Sequence, residues 1–338
     1  MARTTRALRS LGIKKGVEAV RKPWLVLALG LLLLPACRAA DPPKNETIPQ
    51  QKGDSKAMQP VSSGYVDVNG IKLYHEIYGA GEPVVLLHGG LMTTKEMSLL
   101  IQALSDKRRV IAVELEGHGR TVDTDRPLRF ETLGDDVGAL IEKLGLGKAD
   151  VVGWSFGGAT ALRTAIQHPE SVRRLVVISN PYAHSGWYPE TREGMAQVSS
   201  KMADQVMQTP VGIASRAWPQ PERFPRFLDK MGALMAKDYD WSAEIRQLKM
   251  PVMLAFADHD AVSTRHIAEF FALLGGGLKD AGWQNTQFTN ARLSIIPGYS
   301  HYNFGTAPEL GVTIEKFLDD PMTKPQGGEP AAASRASP

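Results

Sequence analysis

Gly153-Trp154-Ser155-Phe156-Gly157 stands directly after a short apolar run at 150–152 and opens a helical pattern at 157–168. A sharp strand-to-helix turn of this kind holds its serine in a strained backbone conformation, and small flanking residues let strand and helix approach closely. It also puts Ser155 at a helix N-terminus, where free N–H groups and the helix dipole favour developing negative charge. A serine hydroxyl is a poor nucleophile at neutral pH, so a base must accompany it. Of the eight histidines, His301 is the expected base, because Pro297-Gly298-Tyr299-Ser300-His301 reads as the loop leaving the last strand. His168, His259 and His266 fall at a helix end, in a loop and in a helix, and read as surface residues. His88 and His118 sit in glycine-bearing loops just after strands and read as structural. A base of this kind needs a carboxylate that holds its tautomer and stabilises the imidazolium. Ala257-Asp258-His259-Asp260 offers two; Asp260, three residues past the small Ala257, is the expected acid and Asp258 the alternative.

The elements that must position these groups alternate regularly. Asn69-Gly70 between 65–68 and 71–74 predicts a two-residue hairpin. Continuous apolar runs at 83–87, 110–113, 150–152, 175–178, 252–256 and 293–296 have the character of buried strands. Helical patterns at 133–144, 157–168, 265–274 and 310–318 separate them. Strands alternating with helices imply an α/β fold, with a mostly parallel sheet flanked by helices on both faces. Residues 181–249 break the rhythm: no buried-strand run occurs, and amphipathic stretches at 193–207 and 223–236 predict a helical cap insertion over the carboxyl ends of the strands.

The formal charge of +3 is concentrated at the N-terminus, where residues 1–36 hold seven Lys/Arg and one Glu and leave the remainder near −3. A mildly acidic body carries no nucleic-acid footprint. The basic leader, the apolar run at 24–34 and the small residues after it have the layout of a secretory signal, and the run is short for a membrane span. Cys37, the one cysteine, follows Leu34-Pro35-Ala36 in a sequence resembling a bacterial lipobox, although Pro35 is unusual there. The expected organisation is a signal peptide at 1–36, a flexible tether at 37–60, a catalytic domain at 61–320 and a disordered tail at 321–338. Lipid anchorage through Cys37 to a bacterial membrane, or secretion, follows as the expected localisation. A single cysteine excludes an internal disulfide.

These features together resemble the α/β-hydrolase superfamily with a helical cap, in its carboxylesterase, enol-lactonase and proline-iminopeptidase-like group. Gly117-His118-Gly119-Arg120, Leu146-Gly147-Lys148-Ala149-Asp150-Val151-Val152-Gly153 and Val172-Arg173-Arg174-Leu175-Val176-Val177 share in the resemblance, which covers about 64–318. It implies the chain order Ser155, Asp260, His301 for the triad and an oxyanion hole from the amides of Gly90 and Phe156. Gly90 lies in His88-Gly89-Gly90-Leu91, with the neighbouring Leu91 as the other candidate. Serine, where epoxide hydrolases and haloalkane dehalogenases carry aspartate, disfavours those chemistries. The expected substrate is a small to medium uncharged ester, with Trp154 and Phe156 shaping an apolar acyl pocket and the methionine-rich cap setting specificity. The same triad serves lactones, thioesters, amides or carbon–carbon bonds, and the fold also serves slow-turnover ligand binding. No cofactor or metal is called for: neither an H-E-x-x-H pattern nor a glycine-rich phosphate loop is present. Oligomeric state is not legible.

Overall fold

The structure, a computed structural model, describes residues 58–322 apart from positions 217 and 285. The expected signal, Cys37, most of the tether and all but the start of the tail lie outside the described residues. The order is β1 (Ser62–Val68), β2 (Ile71–Tyr78), β3 (Glu82–Leu87), α1 (Ser98–Ser105), β4 (Arg108–Glu114), α2 (Phe130–Lys143), β5 (Ala149–Trp154), α3 (Phe156–Gln167) and β6 (Val172–Ile178). Five helices follow: α4 (Pro189–Ala196), α5 (Ala203–Val206), α6 (Pro210–Ser215), α7 (Phe224–Met235) and α8 (Ser242–Ile245). The chain then closes with β7 (Val252–His259), α9 (Thr264–Leu273), β8 (Ala291–Ser300) and α10 (Pro308–Asp319).

The strands form one eight-stranded sheet in the order β1-β2-β4-β3-β5-β6-β7-β8. β1 and β2 are antiparallel, β2 meets β4 antiparallel, and every later pairing is parallel. Asn69 and Gly70 both take positive φ, 44° and 85°, as a primed hairpin turn requires. The central strands are apolar throughout because both faces are covered. Val85, Leu87, Val151 and Val177 pack with α2 and α3 on one side. Val84, Leu86, Val152 and Val176 pack with α1 and α10 on the other. Fully burying each such side chain contributes about 1.5–3 kcal/mol.

From β3 the chain crosses outward through α1 to β4; from β5 it crosses the opposite way through α3 to β6. The sheet therefore reverses direction between β3 and β5, and a crevice opens at their carboxyl ends. The loops carrying Gly90 and Ser155 both leave these two strands.

α4 to α8 lie between β6 and β7, and the two ends of this insertion are stitched together. Ala183 and Asp240 form an isolated antiparallel bridge, the His184 N–H donates to the Tyr239 carbonyl (2.9 Å), and the Trp241 N–H to that of Tyr182 (3.1 Å). The amphipathic stretch at 193–207 is divided between the end of α4, a 3-10 turn and α5. Val198 at the break brings its carbonyl against Gly232 of α7, and the Ser200 N–H donates to Asp229 on that helix (2.7 Å). Packing against α7 outweighs the continuity of the amphipathic pattern.

Candidate active site

Ser155 sits between β5 and α3 at φ 52°, ψ −114°, a conformation that costs a side-chain-bearing residue free energy. The surroundings over-determine it. Its N–H donates to the Ile178 carbonyl (2.8 Å), and its own carbonyl accepts from the Ala159 N–H (3.0 Å). A Cβ at position 153 would lie 2.0 Å from the Gly157 carbonyl oxygen, and one at 157 would lie 2.5 Å from those of Leu87 and His88. Glycine at these two positions is what lets β5, α3 and β3 meet.

The Ser155 Oγ lies 3.0 Å from His301 Nε2, and His301 Nδ1 lies 2.9 Å from Asp260 Oδ1. The structure thus brings three residues distant in sequence into one hydrogen-bonded line. Asp260 is buried and richly bonded: Oδ2 accepts from the Ser179 hydroxyl (2.5 Å) and the Ala257 N–H (3.2 Å), and Oδ1 from the Val262 N–H (3.3 Å). Burial alone would raise its pKa, but the hydrogen bond and charge of His301, with the Ser179 and Ala257 donors, hold it below the usual carboxylate value. Acceptance of the His301 Nδ1–H fixes the tautomer that turns Nε2 toward Ser155. Trp187 meets the His301 ring edge-on at 5.4 Å, and Tyr302 flanks it at 5.5 Å.

Asp258, the alternative acid, is turned elsewhere. It accepts from the Gly298 N–H (2.9 Å) and the Tyr299 N–H (3.3 Å), so it fastens the segment that leads to His301. That segment is part of β8, which extends to Ser300 rather than ending before Pro297.

Phe156 is the first residue of α3, and first-turn amides have no intrahelical acceptor. The Gly90 backbone lies beside it: a Cβ on Gly90 would be 3.6 Å from the Phe156 Cβ and 3.7 Å from Cε of Met231 on α7. The Leu91 amide donates instead to His118 Nε2 (3.1 Å), which leaves Gly90 as the oxyanion-loop candidate.

Two sequence expectations need correction. Trp154 does not shape the pocket beside Ser155. It follows the two-residue pleat of β5 and points with Val152 into the core layer of α1 and α10, where its ring packs on Gly305. His266 is not a surface residue. It is buried, stacks on Tyr182 (4.0 Å between ring centroids) and has its pKa lowered to about 4 by burial. His168 is half-buried against Asp135 (2.9 Å), and His259 is exposed at the end of β7. His88 and His118 are both fully buried and hydrogen-bonded to backbone.

Ser179, with its bond to Asp260, escaped sequence reasoning. A serine after a buried strand carries no signal of which distant carboxylate it meets, although its φ of 51° marks a second constrained turn beside the site. Met231 was visible only as one of many cap methionines. Among the described residues, no group of three His, Cys, Asp or Glu side chains is arranged to hold a metal ion. Nor is any described helix long and apolar enough to cross a membrane.

The sheet order, the strained serine after β5 and the helices on both faces define the α/β-hydrolase fold. The family profile described as "alpha/beta hydrolase fold" matches residues 82–212. A pimeloyl-[acyl-carrier protein] methyl ester esterase of Nitrosomonas europaea is 25% identical over 264 residues, 71% of this chain and 97% of the relative. A 2-hydroxymuconate semialdehyde hydrolase of Pseudomonas sp. is 37% identical over 106 residues, 30% of this chain and 38% of the relative. Among solved structures, carboxylesterase CesB from Bacillus subtilis superposes with a TM-score of 0.59 at 19% identity, covering 76% of this chain and 91% of that one.

Proposed function

We propose that the protein is a serine hydrolase that cleaves carboxylic esters through an acyl-enzyme on Ser155. The observation that carries this is the hydrogen-bonded line from Ser155 Oγ through His301 to the buried Asp260. His301 Nε2 takes the Ser155 proton as Oγ attacks the ester carbonyl carbon. The carbonyl oxygen becomes an oxyanion and accepts from the Gly90 and Phe156 N–H groups, each donor being worth about 3 kcal/mol in the barrier. The imidazolium, stabilised by Asp260, gives its proton to the departing alcohol. Water, deprotonated by His301, then attacks the acyl carbon, and Ser155 recovers its proton as the acid leaves. Nucleophile, proton carrier and oxyanion donors are all groups of this chain.

Apolar cap residues lie near the reacting groups: Met231 beside Gly90 and Trp187 against His301. They favour a small to medium uncharged ester. The relative that aligns along nearly its whole length is a methyl ester esterase, which supports the ester bond as the one cleaved. Export with lipidation at Cys37 belongs to the same proposal, on the strength of the leader, apolar run and lipobox-like sequence. Radiolabelled palmitate should enter the wild-type protein in a bacterial host and not Cys37→Ser; equal labelling would refute lipidation at that residue.

The test of activity is hydrolysis of p-nitrophenyl esters of graded acyl length by the domain from Asp41 onward, beside Ser155→Ala. Turnover that peaks at one chain length and vanishes in the variant is the expected result. Turnover that survives the substitution would overturn the assignment of the nucleophile. Failure of a fluorophosphonate to label Ser155 would overturn the serine mechanism itself.

A further inference from the structure

His118 lies in a tight turn after β4, where the Gly117 N–H donates to the Thr121 carbonyl (3.0 Å) and the Thr121 N–H to that of His118 (3.0 Å). Its ring is fully buried among His88, Phe156 and Phe227, with centroids 4.7, 5.4 and 4.7 Å away. The hydrogen bonds fix its tautomer. The Leu91 amide can only donate, so Nε2 (3.1 Å away) accepts, and the ring proton stands on Nδ1 facing the Glu116 carbonyl (3.1 Å). His88 does the converse from the neighbouring loop. Its Nε2 accepts the Leu115 N–H (3.1 Å), and its Nδ1–H faces the Gly89 carbonyl (2.7 Å). Each loop thus lends a histidine to the backbone of the other.

The crossed bonds act on the two peptide planes around Gly90. The Gly89 carbonyl is held by His88 and by the Met92 N–H (3.2 Å). In a trans peptide the next N–H, that of Gly90, points the opposite way. The following plane is held through the Leu91 N–H on His118, with Leu91 at φ 60°, a left-handed conformation unfavourable to a branched side chain. Without an acceptor at Nε2, that buried amide would have to seek another partner, and the loop would lose the constraint that keeps Leu91 there.

We infer that His118 is a positioning residue for ester hydrolysis: by accepting the Leu91 amide it holds the oxyanion loop so that Gly90, not Leu91, presents its N–H beside Phe156. This rests on the Ser155 mechanism proposed above. Burial keeps the ring neutral, its pKa well below the usual histidine value, as an acceptor role demands.

His118→Gln keeps an acceptor near the Nε2 position; His118→Leu keeps bulk and removes it. The expected result is a fall in kcat of about 100-fold for His118→Leu, as for a displaced oxyanion donor, with KM nearly unchanged. His118→Gln should recover most of that loss, and nitrogen NMR of the wild-type ring should show the Nδ1–H tautomer. Wild-type kcat in a folded His118→Leu protein would overturn the inference, as would the Nε2–H tautomer. If His118→Leu does not fold, the tautomer and the glutamine variant decide. Loss of the Ser155 mechanism would register separately, as an inert wild type, and the tautomer would still report on the clamp.

Discussion

The two walls of the cleft are held by different physics. On the sheet side, Ser155, the Asp260 loop and the oxyanion loop hang from buried hydrogen bonds between backbone and short side chains, with ring stacking and glycine-permitted contacts behind them. On the cap side, α7 is held partly by apolar burial of Phe227, Leu228 and Met231 and partly by charge. Arg223 just before the helix, with Arg226 and Lys230 on it, reach the carboxylates of Glu116, Asp123 and Asp125 on the loop after β4. The first wall is rigid because its partners are buried and short. The second relies in part on long charged side chains, some of them in water. The hydrolysis proposed above, which needs a fixed nucleophile and a way in for substrate, is served by that division.

The largest expected effect breaks the rigid wall at its charge. Asp260→Asn keeps the shape but presents an amide where His301 Nδ1–H needs an acceptor, and the imidazole is free to turn. Ester turnover should fall by about 10⁴-fold, with little change in the far-ultraviolet spectrum. The substitution should also change the acid limb of stability. The folded Asp260 pKa is lowered, so its contribution is present above the ordinary carboxylate range and is lost as pH falls through the folded value. Denaturant midpoints measured down that limb should fall less steeply in the asparagine variant. Full activity in Asp260→Asn would shift the acid role to Asp258, which here accepts from the β8 backbone and pairs with His259 (3.0 Å).

This wall was also the more legible in the sequence. Ser155, Asp260 and His301 lie where strands end, and each strand was visible as a run of apolar residues bounded by turn residues. The signal is local. Features that depend on which distant surfaces meet were not legible: the bond from Ser179 to Asp260, the side of the sheet taken by Trp154, and the fate of the Leu91 amide. The cap was legible only as an absence of strands. The period-3.6 pattern located α7 well but not the break between α4 and α5, because that break is imposed by the approach of Val198 to Gly232.

A smaller effect probes the seam where the cap joins the body. His266 on α9 stacks on Tyr182 at the start of the insertion, and its pKa is lowered to about 4 from 6.5. The folded state therefore prefers the neutral ring. Its contribution is complete above about pH 6.5 and is lost as pH falls toward 4, amounting to about 3 kcal/mol at most. Urea midpoints of the wild type should drop across that window, while His266→Gln should be flatter there. Parallel curves would mean that the ring is already protonated or exposed in solution.

The smallest pair of effects sorts the charges on the cap wall by burial. Lys230 is mostly buried and bonds Asp123, Glu116 (3.4 Å) and the Thr124 carbonyl (3.0 Å), with both carboxylates almost wholly inaccessible. Lys230→Met leaves those carboxylates to Arg226 and Arg126, which already pair with them at 3.0 Å and 2.6 Å. The residual cost should be about 1–3 kcal/mol rather than that of a fully unpaired buried charge. Asp125 also pairs with Arg223 (3.6 Å) and Arg226 (2.5 Å), but its side chain is 83% exposed. Water solvates it with or without its partners, and salt screens the attraction, so Asp125→Ala should leave the melting temperature unchanged within error. The decisive measurement is limited proteolysis of α7 in low and high salt. Lys230→Met should speed cleavage in both, and Asp125→Ala in neither. Equal acceleration by the two substitutions would mean that the whole set of ion pairs, and not its buried member alone, holds the cap to the sheet.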